Sequence, residues 1–355
     1  MNYIGMDVHK KSITMAAFSQ DGSRLAKKKV AATPEGITGF LNLLEGGQPL
    51  TATMEATGFW YWVAEVLEDI DGVTVKLANP RKVRIIAESN LKNDDVDAAA
   101  LAHLTRLNWL PESRLVPKKV RLVRERLRCR ISLVQTRSSL KNRLTSILLK
   151  RGLSHPFSDL FGKKGRAWLD SLDLPEEYRQ NMDIYLRLID ATEAEIASVD
   201  KWLTKKVKTS RQGRLLTTIP GIGKFSAMLL LAEIGGIDYF KSPKKLSAYA
   251  GLAPSMWQSG EKHRLGRLRP DCNKYIRWIC IEAVTKAVRV VPCWKRLYDS
   301  ICCGNDSKKP VARAAVARKI ICAAWRVLTS GEPFDHLAAG RRNPKDSPAM
   351  VTGLK

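Results

Sequence analysis

The stretch Tyr3-Ile4-Gly5-Met6-Asp7-Val8 has the period of two expected of a β-strand, and its one charged member lies among apolar neighbours. A carboxylate in that position needs a salt bridge, backbone donors or a metal ion, because burying an ionised group without compensation is expensive. Further along, Thr51-Ala52-Thr53-Met54-Glu55 makes a second strand that also ends on an acid. Ala56-Thr57-Gly58 then turns into a helical stretch from about 59 to 67. In open α/β sheets the carboxyl ends of strands are where loops converge and ligands bind. Lys92 to Ala102 reads as a helix start, with acids in the first turn and Ala/Leu beyond. Asp94 and Asp97 are three apart and share one helix face. Asp95 points elsewhere and is read as an ordinary N-terminal helix acid.

Working outward, Ile13 to Phe18 is another strand. Asp21-Gly22 turns into a third around Leu25 to Val30, and Val73 to Leu77 is a later one that ends before Asn79-Pro80. Three antiparallel strands followed by helix-linked ones predict a mixed sheet with helices on its faces. With acids on the first strand, a middle strand and a following helix, this is the ribonuclease H-like arrangement of nucleases and resolvases, an analogy of fold.

The chain carries 60 Lys+Arg against 35 Asp+Glu, a formal net charge of +25, which favours a polyanionic partner. Its 355 residues with 45% hydrophobic content predict two or three domains with their own cores and exclude a disordered tail protein. No run of about 18 apolar residues occurs, and the N-terminus enters a strand directly, so a cytoplasmic protein without a membrane partner is expected. The seven cysteines are odd in number and lack paired CxxC spacing, which indicates reduced structural thiols and neither a disulfide framework nor a zinc site.

From Pro117 to about Arg151 a long helical pattern holds twelve Lys/Arg and one acid, Glu125. Like charges at helical spacing repel, so this excess is read as a helix that grips phosphates. A second pattern, about Glu176 to Lys208, carries Ile184, Leu188, Ile189, Ile196, Val199 and Leu203. The two can pair as an antiparallel coiled coil, with 154–175 as the connection. Ile219-Pro220-Gly221-Ile222-Gly223-Lys224 reads as the glycine turn of a helix-hairpin-helix. Gly221 and Gly223 would admit a phosphate to the backbone and Lys224 would open the next helix; the competing reading is a tight turn with packing glycines. In Tyr249 to Leu268 a Ser-Gly pair, Ser259-Gly260, precedes Lys262, His263, Arg264 and Arg267. A hydroxyl among cations can bind a phosphate or attack it. His9 reads as a surface histidine and His263 as a phosphate contact, while Trp278, Trp294 and Trp325 read as core.

Taken together, Tyr3 to His9, Met54-Glu55-Ala56-Thr57-Gly58, Asn79-Pro80, Lys92 to Ala98, Ile219 to Gly223 and Gly251 to Gly266 strongly resemble the DEDD transposases of the insertion-sequence class understood as bridge-RNA-guided recombinases. The match spans about residues 2 to 335. The resemblance implies an α/β plus α chain. A ribonuclease H-like (RuvC-like) catalytic domain would span 1–112 and a basic helical coiled-coil region 113–208. A mostly helical C-terminal transposase domain with the helix-hairpin-helix would span 209–335, and a flexible tail 336–355. Carried over by position, the acidic tetrad falls on Asp7, Glu55, Asp94 and Asp97, and the family serine on Ser259; Ser255 does not match. Asp95 departs from a pattern that is neutral there. The implied chemistry is Mg²⁺ (or Mn²⁺) held by the tetrad and strand cleavage by Ser259. The implied partners are donor and target DNA, a noncoding guide RNA, and further copies of the chain in a dimer or tetramer. Two alternatives use the same residues: a hydrolytic junction endonuclease with water as nucleophile, and a noncatalytic nucleic-acid-binding protein.

Overall fold

A computed structural model describes residues 1–44, 48–86, 94–259 and 262–336, without the side chains of 84–86, 94–96, 255–259, 262–265 and 267. Contacts divide the chain into two compact units, Met1–Lys118 and Lys119–Lys355.

The first unit is built on β1 (Asn2–Val8), β2 (Ser12–Phe18), β3 (Arg24–Ala31), α1 (Pro34–Leu41), β4 (Leu50–Glu55), α2 (Trp60–Glu68), β5 (Val73–Ala78), α3 (Pro80–Ile86), α4 (Asp94–Arg106) and β6 (Glu112–Ser113). The strands form one mixed sheet in the order β3-β2-β1-β4-β5-β6. β1 runs antiparallel to β2 and parallel to β4, so the predicted mixed sheet with helices on its faces is present. α1, α3 and β6 add to the elements read from sequence. Alternation along the strands sorts side chains to two faces. Ile4, Met6, Ile13, Met15, Ala52 and Met54 bury against Ile37 and Phe40 of α1 and Trp60, Val63 and Leu67 of α2. The opposite face is lined by small residues and takes α4, where Ala16 and Phe18 meet Ala98 and Ala102.

Gly5 is what lets α4 lie on the sheet. A Cβ there would stand 1.8 Å from the Ala98 carbonyl oxygen and 2.7 Å from the Ala102 nitrogen, a clash of backbone with backbone that only glycine avoids.

Among its described residues the second unit is helical except for one hairpin: α5 (Lys118–Lys150, beginning at the boundary), α6 (Lys163–Ser171), α7 (Glu176–Thr209), α8 (Arg211–Leu216), α9 (Lys224–Ile234), α10 (Pro243–Tyr249), β7 (Pro254–Ser259), β8 (Lys262–Leu268), α11 (Lys274–Val290), α12 (Pro292–Cys302) and α13 (Lys309–Ser330). α5 and α7 pair antiparallel. Leu127 shares a core with Leu203 and Val207, Arg130 pairs with Asp200, Lys141 with Glu193, and Leu144 and Leu148 pack with Met182 and Leu186. Their proximal ends belong to the large core formed by α8, α9, α11 and α13. Ile184, Leu188 and Leu122, apolar in the sequence pattern, are exposed. Of the three tryptophans expected in the core, Trp294 is buried, Trp325 donates its indole N–H to the Phe240 carbonyl at 2.7 Å, and Trp278 is instead exposed. Among the described residues no disulfide forms, and no helix is long and apolar enough to cross a membrane.

Candidate nucleic-acid processing site

The parallel ladder between β1 and β4 runs from Asn2 opposite Leu50 to Met6 opposite Met54, so the next residues along, Asp7 and Glu55, stand side by side where the two strands finish. Both are half-buried. Their face of the sheet follows from period two: Asp7 lies two beyond Gly5, and Glu55 two beyond Thr53. Gly5 touches α4, and Thr53 shares a 2.8 Å hydrogen bond with Thr105 of α4. Both acids therefore belong to the α4 face. Asp7 Oδ2 lies 2.9 Å from His9 Nε2, a contact at the surface, as read for His9 from sequence.

α4 descends across this face antiparallel to β1. His103 packs at a tilt against the ring of Phe18, the partner of Tyr3, and Ala98 and Ala102 cover Gly5, so the helix's first turn comes over the strand ends where Asp7 and Glu55 lie. Asp97 continues the stripe of Leu101 and Thr105, which packs toward β5 and β4, and it is exposed. The Asp94 side chain lies outside the described residues. Among the described residues no three His, Cys, Asp or Glu side chains form a group that could hold a metal ion. Asp7 and Glu55 are thus brought together, and Asp97 stands at the start of the helix above them. Two adjacent carboxylates fit a Mg²⁺-like ion, which takes one or two protein carboxylates, keeps several waters and completes its shell with phosphate.

One residue beside the pair was not read from sequence. Thr14 is the cross-strand partner of Asp7 on one side and of Lys29 on the other; it is only 1% exposed, and among the described residues its Oγ1 has no hydrogen-bond partner. Its sequence signal, a threonine in an apolar strand, is too common to single it out.

In the second unit, Ser259 ends β7 and pairs with Lys262 across the hairpin, followed by Gln258 with His263 and Trp257 with Arg264. The Ser-Gly pair and its cations thus belong to one antiparallel hairpin, although the side chains of Ser259, Lys262, His263, Arg264 and Arg267 lie outside the described residues. The hairpin's root is held firmly. Asn273 donates its backbone N–H to the Tyr249 carbonyl at 2.9 Å, caps α11 through Oδ1, and donates Nδ2 to Glu233 Oε2 at 2.8 Å. Glu233 is fully buried on α9 and also accepts both Arg128 Nε (3.0 Å) and Nη2 (3.2 Å) from α5. A lone acid in the run Leu229-Leu230-Leu231-Ala232-Glu233-Ile234 was the sequence signal for it.

The glycine turn joins α8, only six residues long, to α9. Gly221 has φ +89°, and a Cβ on it would sit 2.4 Å from the Ala283 carbonyl of α11. Packing therefore accounts for Gly221. Gly223 meets nothing within 4 Å and caps α9, where Lys224 is exposed.

Residues 4–151 match a transposase family profile named for the DEDD motif and for IS110. Residues 213–299 match the profile described as transposase, IS116/IS110/IS902 family. The two stretches hold the paired strand-end acids and the serine hairpin respectively. The chain belongs to the IS110/IS116 family of DEDD transposases. It is 24% identical to the transposase for insertion sequence element IS1328 of Yersinia enterocolitica, over 93% of this chain and 98% of that one. It is also 24% identical to a putative transposase of Sinorhizobium fredii, over 93% and 85% of the two chains. A pilin gene-inverting protein of Moraxella bovis is 27% identical over 74% of each chain.

In this transposase the basic helix α5 is organised differently from its sequence reading, because much of its charge is turned inward. Arg124 donates to the backbone carbonyls of Ala232 (2.6 Å) and Glu233 (2.9 Å). Arg130 holds Asp200 in a two-point bond, and Arg137 and Lys141 pair with Glu193. Arg126 lies over the ring of Trp202 and Arg151 over that of Tyr178. The partners come from α7 and α9, distant in sequence, which is why the helix looked unbalanced by itself. Outward it presents a shallow groove between Val134 and Ser146, in which Arg143 is the one cation among the lining residues.

Proposed function

We propose that this transposase cuts and rejoins DNA strands, with Asp7, Glu55, Asp94 and Asp97 binding one or two divalent ions, Mg²⁺ or Mn²⁺, and Ser259 serving as nucleophile. The observation that carries this reading is the pairing of Asp7 and Glu55 at the ends of adjacent parallel strands, on the face over which the acid-bearing start of α4 arrives. When bound, the ion neutralises charge developing on the scissile phosphate. Asp7 and Glu55 fix its position. The Ser259 oxygen bonds to phosphorus while the bond to one deoxyribose oxygen breaks. The seryl proton passes to solvent or a base, and the departing sugar oxygen is protonated. A freed hydroxyl end then attacks the phosphoserine, the seryl oxygen leaves and regains a proton, and strands are joined without ATP.

Gly223, Lys224, Lys262, Arg264 and Arg267 are proposed phosphate contacts, the first two at the open N-terminus of α9. A noncoding guide RNA as well as donor and target DNA suits the +25 charge and the family resemblance. Assembly as a dimer or tetramer is supported by Ile184 and Leu188, exposed one turn apart on α7.

The test is incubation of the purified chain with guide RNA, Mg²⁺ and DNA carrying the element's ends. A covalent protein–DNA adduct that disappears in Ser259→Ala is expected. Full cleavage by Ser259→Ala without adduct would establish the hydrolytic endonuclease instead, and binding without any metal-dependent cleavage the noncatalytic reading.

A further inference from the structure

Thr14 and Thr53 occupy comparable places on the α4 face, one on each side of the strand that carries Asp7, and both are almost fully buried. Their hydroxyls fare differently. Thr53 Oγ1 is joined to Thr105 Oγ1 at 2.8 Å, and Thr105 donates onward to the Leu101 carbonyl at 2.7 Å. Among the described residues Thr14 Oγ1 has no hydrogen-bond partner, and it is shut off from bulk water. A buried hydroxyl left in that state is destabilising, and native structures keep few of them, commonly where a ligand or ordered water completes the bond. The side chains around Thr14 on this face, Ala16, Ala98 and Ala102, are apolar. The polar neighbours set by the sheet register are Asp7 on β1 and Lys29 on β3.

We propose that the Thr14 hydroxyl is a positioning group of the acidic site, donating to the Asp7 carboxylate when a divalent ion is bound by Asp7 and Glu55. This rests on the reading of those two acids as metal-binding. A hydrogen bond to a ligating carboxylate fixes its orientation, and such outer partners govern metal affinity. A neutral hydroxyl steadies the Asp7 carboxylate without altering the charge of the site.

The experiment is titration of the metal-free protein with Mn²⁺, without nucleic acid, read as a dissociation constant by calorimetry and paired with a metal-free melting curve. Thr14→Val keeps the shape and removes the hydroxyl. Its dissociation constant is expected to rise about 10- to 100-fold while its metal-free melting temperature holds or increases, since an unsatisfied buried group is gone. Thr14→Ser is expected to restore binding to within about threefold, the hydroxyl having returned. Wild-type Mn²⁺ affinity in Thr14→Val, or a fall in its metal-free melting temperature, would overturn the proposal. Asp7→Asn separates the two levels of argument. If it weakens Mn²⁺ binding while Thr14→Val does not, only the role of Thr14 fails. If Asp7→Asn also binds like wild type, the metal reading of the acids falls with it.

Discussion

Glu233 lies in the run Leu229 to Ile234 and Asp7 in the run Tyr3 to Val8, each the single acid among apolar neighbours. On α9, Glu233 is fully buried and met by the Arg128 fork and the Asn273 amide, with Arg124 Nε 3.7 Å away. At the end of β1, Asp7 keeps about a fifth of its side chain exposed, bonds a surface histidine, and stands beside a second carboxylate, with an unsatisfied hydroxyl across the ladder. The buried guanidinium of Arg124 and the part-buried one of Arg128 offset the desolvation of Glu233 within the fold. At Asp7 and Glu55 like charges are placed together instead, an arrangement that a bound cation relieves. The same one-dimensional pattern thus encodes a structural anchor in one unit and a reactive edge in the other.

The largest effect should come at that edge. Asp7→Asn or Glu55→Gln is expected to slow strand cleavage by about a thousandfold, the loss of roughly 4 kcal/mol of charge stabilisation at the phosphate, with little change in melting temperature. Single-turnover cleavage measured beside a melting curve checks this, and an Asp7→Asn enzyme within tenfold of wild type would make Asp7 as structural as Glu233. The converse change, Glu233→Ala, removes the carboxylate from beside the buried Arg124 and the part-buried Arg128. It should lower stability by about 3–5 kcal/mol in urea unfolding. A loss below about 1 kcal/mol would mean that the network around Asn273 does not anchor the hairpin root.

The difference between these two acids was only half legible in the sequence. The sheet could be read because its apolar residues alternate and its turns carry Asp21-Gly22 and Asn79-Pro80, local signals that act over a few residues. The place of Asp7 and Glu55 followed from strand ends alone. α4 could be foreseen as a helix, but its landing on Gly5 is set by contacts some 93 residues away. Glu233 could not be distinguished from a reactive acid, since Arg128 lies 105 residues away in the chain. The hairpin at Pro254 to Leu268 went unread as strands because its residues include Pro254, Gly260, Gly266 and the three cations Lys262, Arg264 and Arg267, a composition poor in strand formers.

The two glycines of the α8–α9 turn repeat the contrast on a smaller scale. Gly221→Ala forces a side chain into positive φ and against the Ala283 carbonyl, so a loss of about 1–3 kcal/mol is expected. Gly223→Ala has room for the methyl group and should cost no more than about 1 kcal/mol as a poorer cap while weakening DNA affinity. Equal destabilisation by both would erase the distinction between packing and phosphate-facing glycine.

The smallest expected effects lie along α5, where the helix's cations divide between internal and outward roles. Each phosphate contact contributes close to one unit to the slope of log affinity against log salt. Arg143, exposed in the shallow groove, should on mutation to Ala reduce that slope by about one with stability unchanged. Arg130 is held by both oxygens of Asp200 and covers the ring of Phe225. Arg130→Ala should leave the slope intact and lower stability by up to about 1 kcal/mol, the usual worth of a partly exposed pair. Charge alone does not predict which arginine matters to nucleic acid. If the two variants changed the slope equally, the ion pairs of α5 would open on binding, and its internal partners would act as placeholders for phosphate.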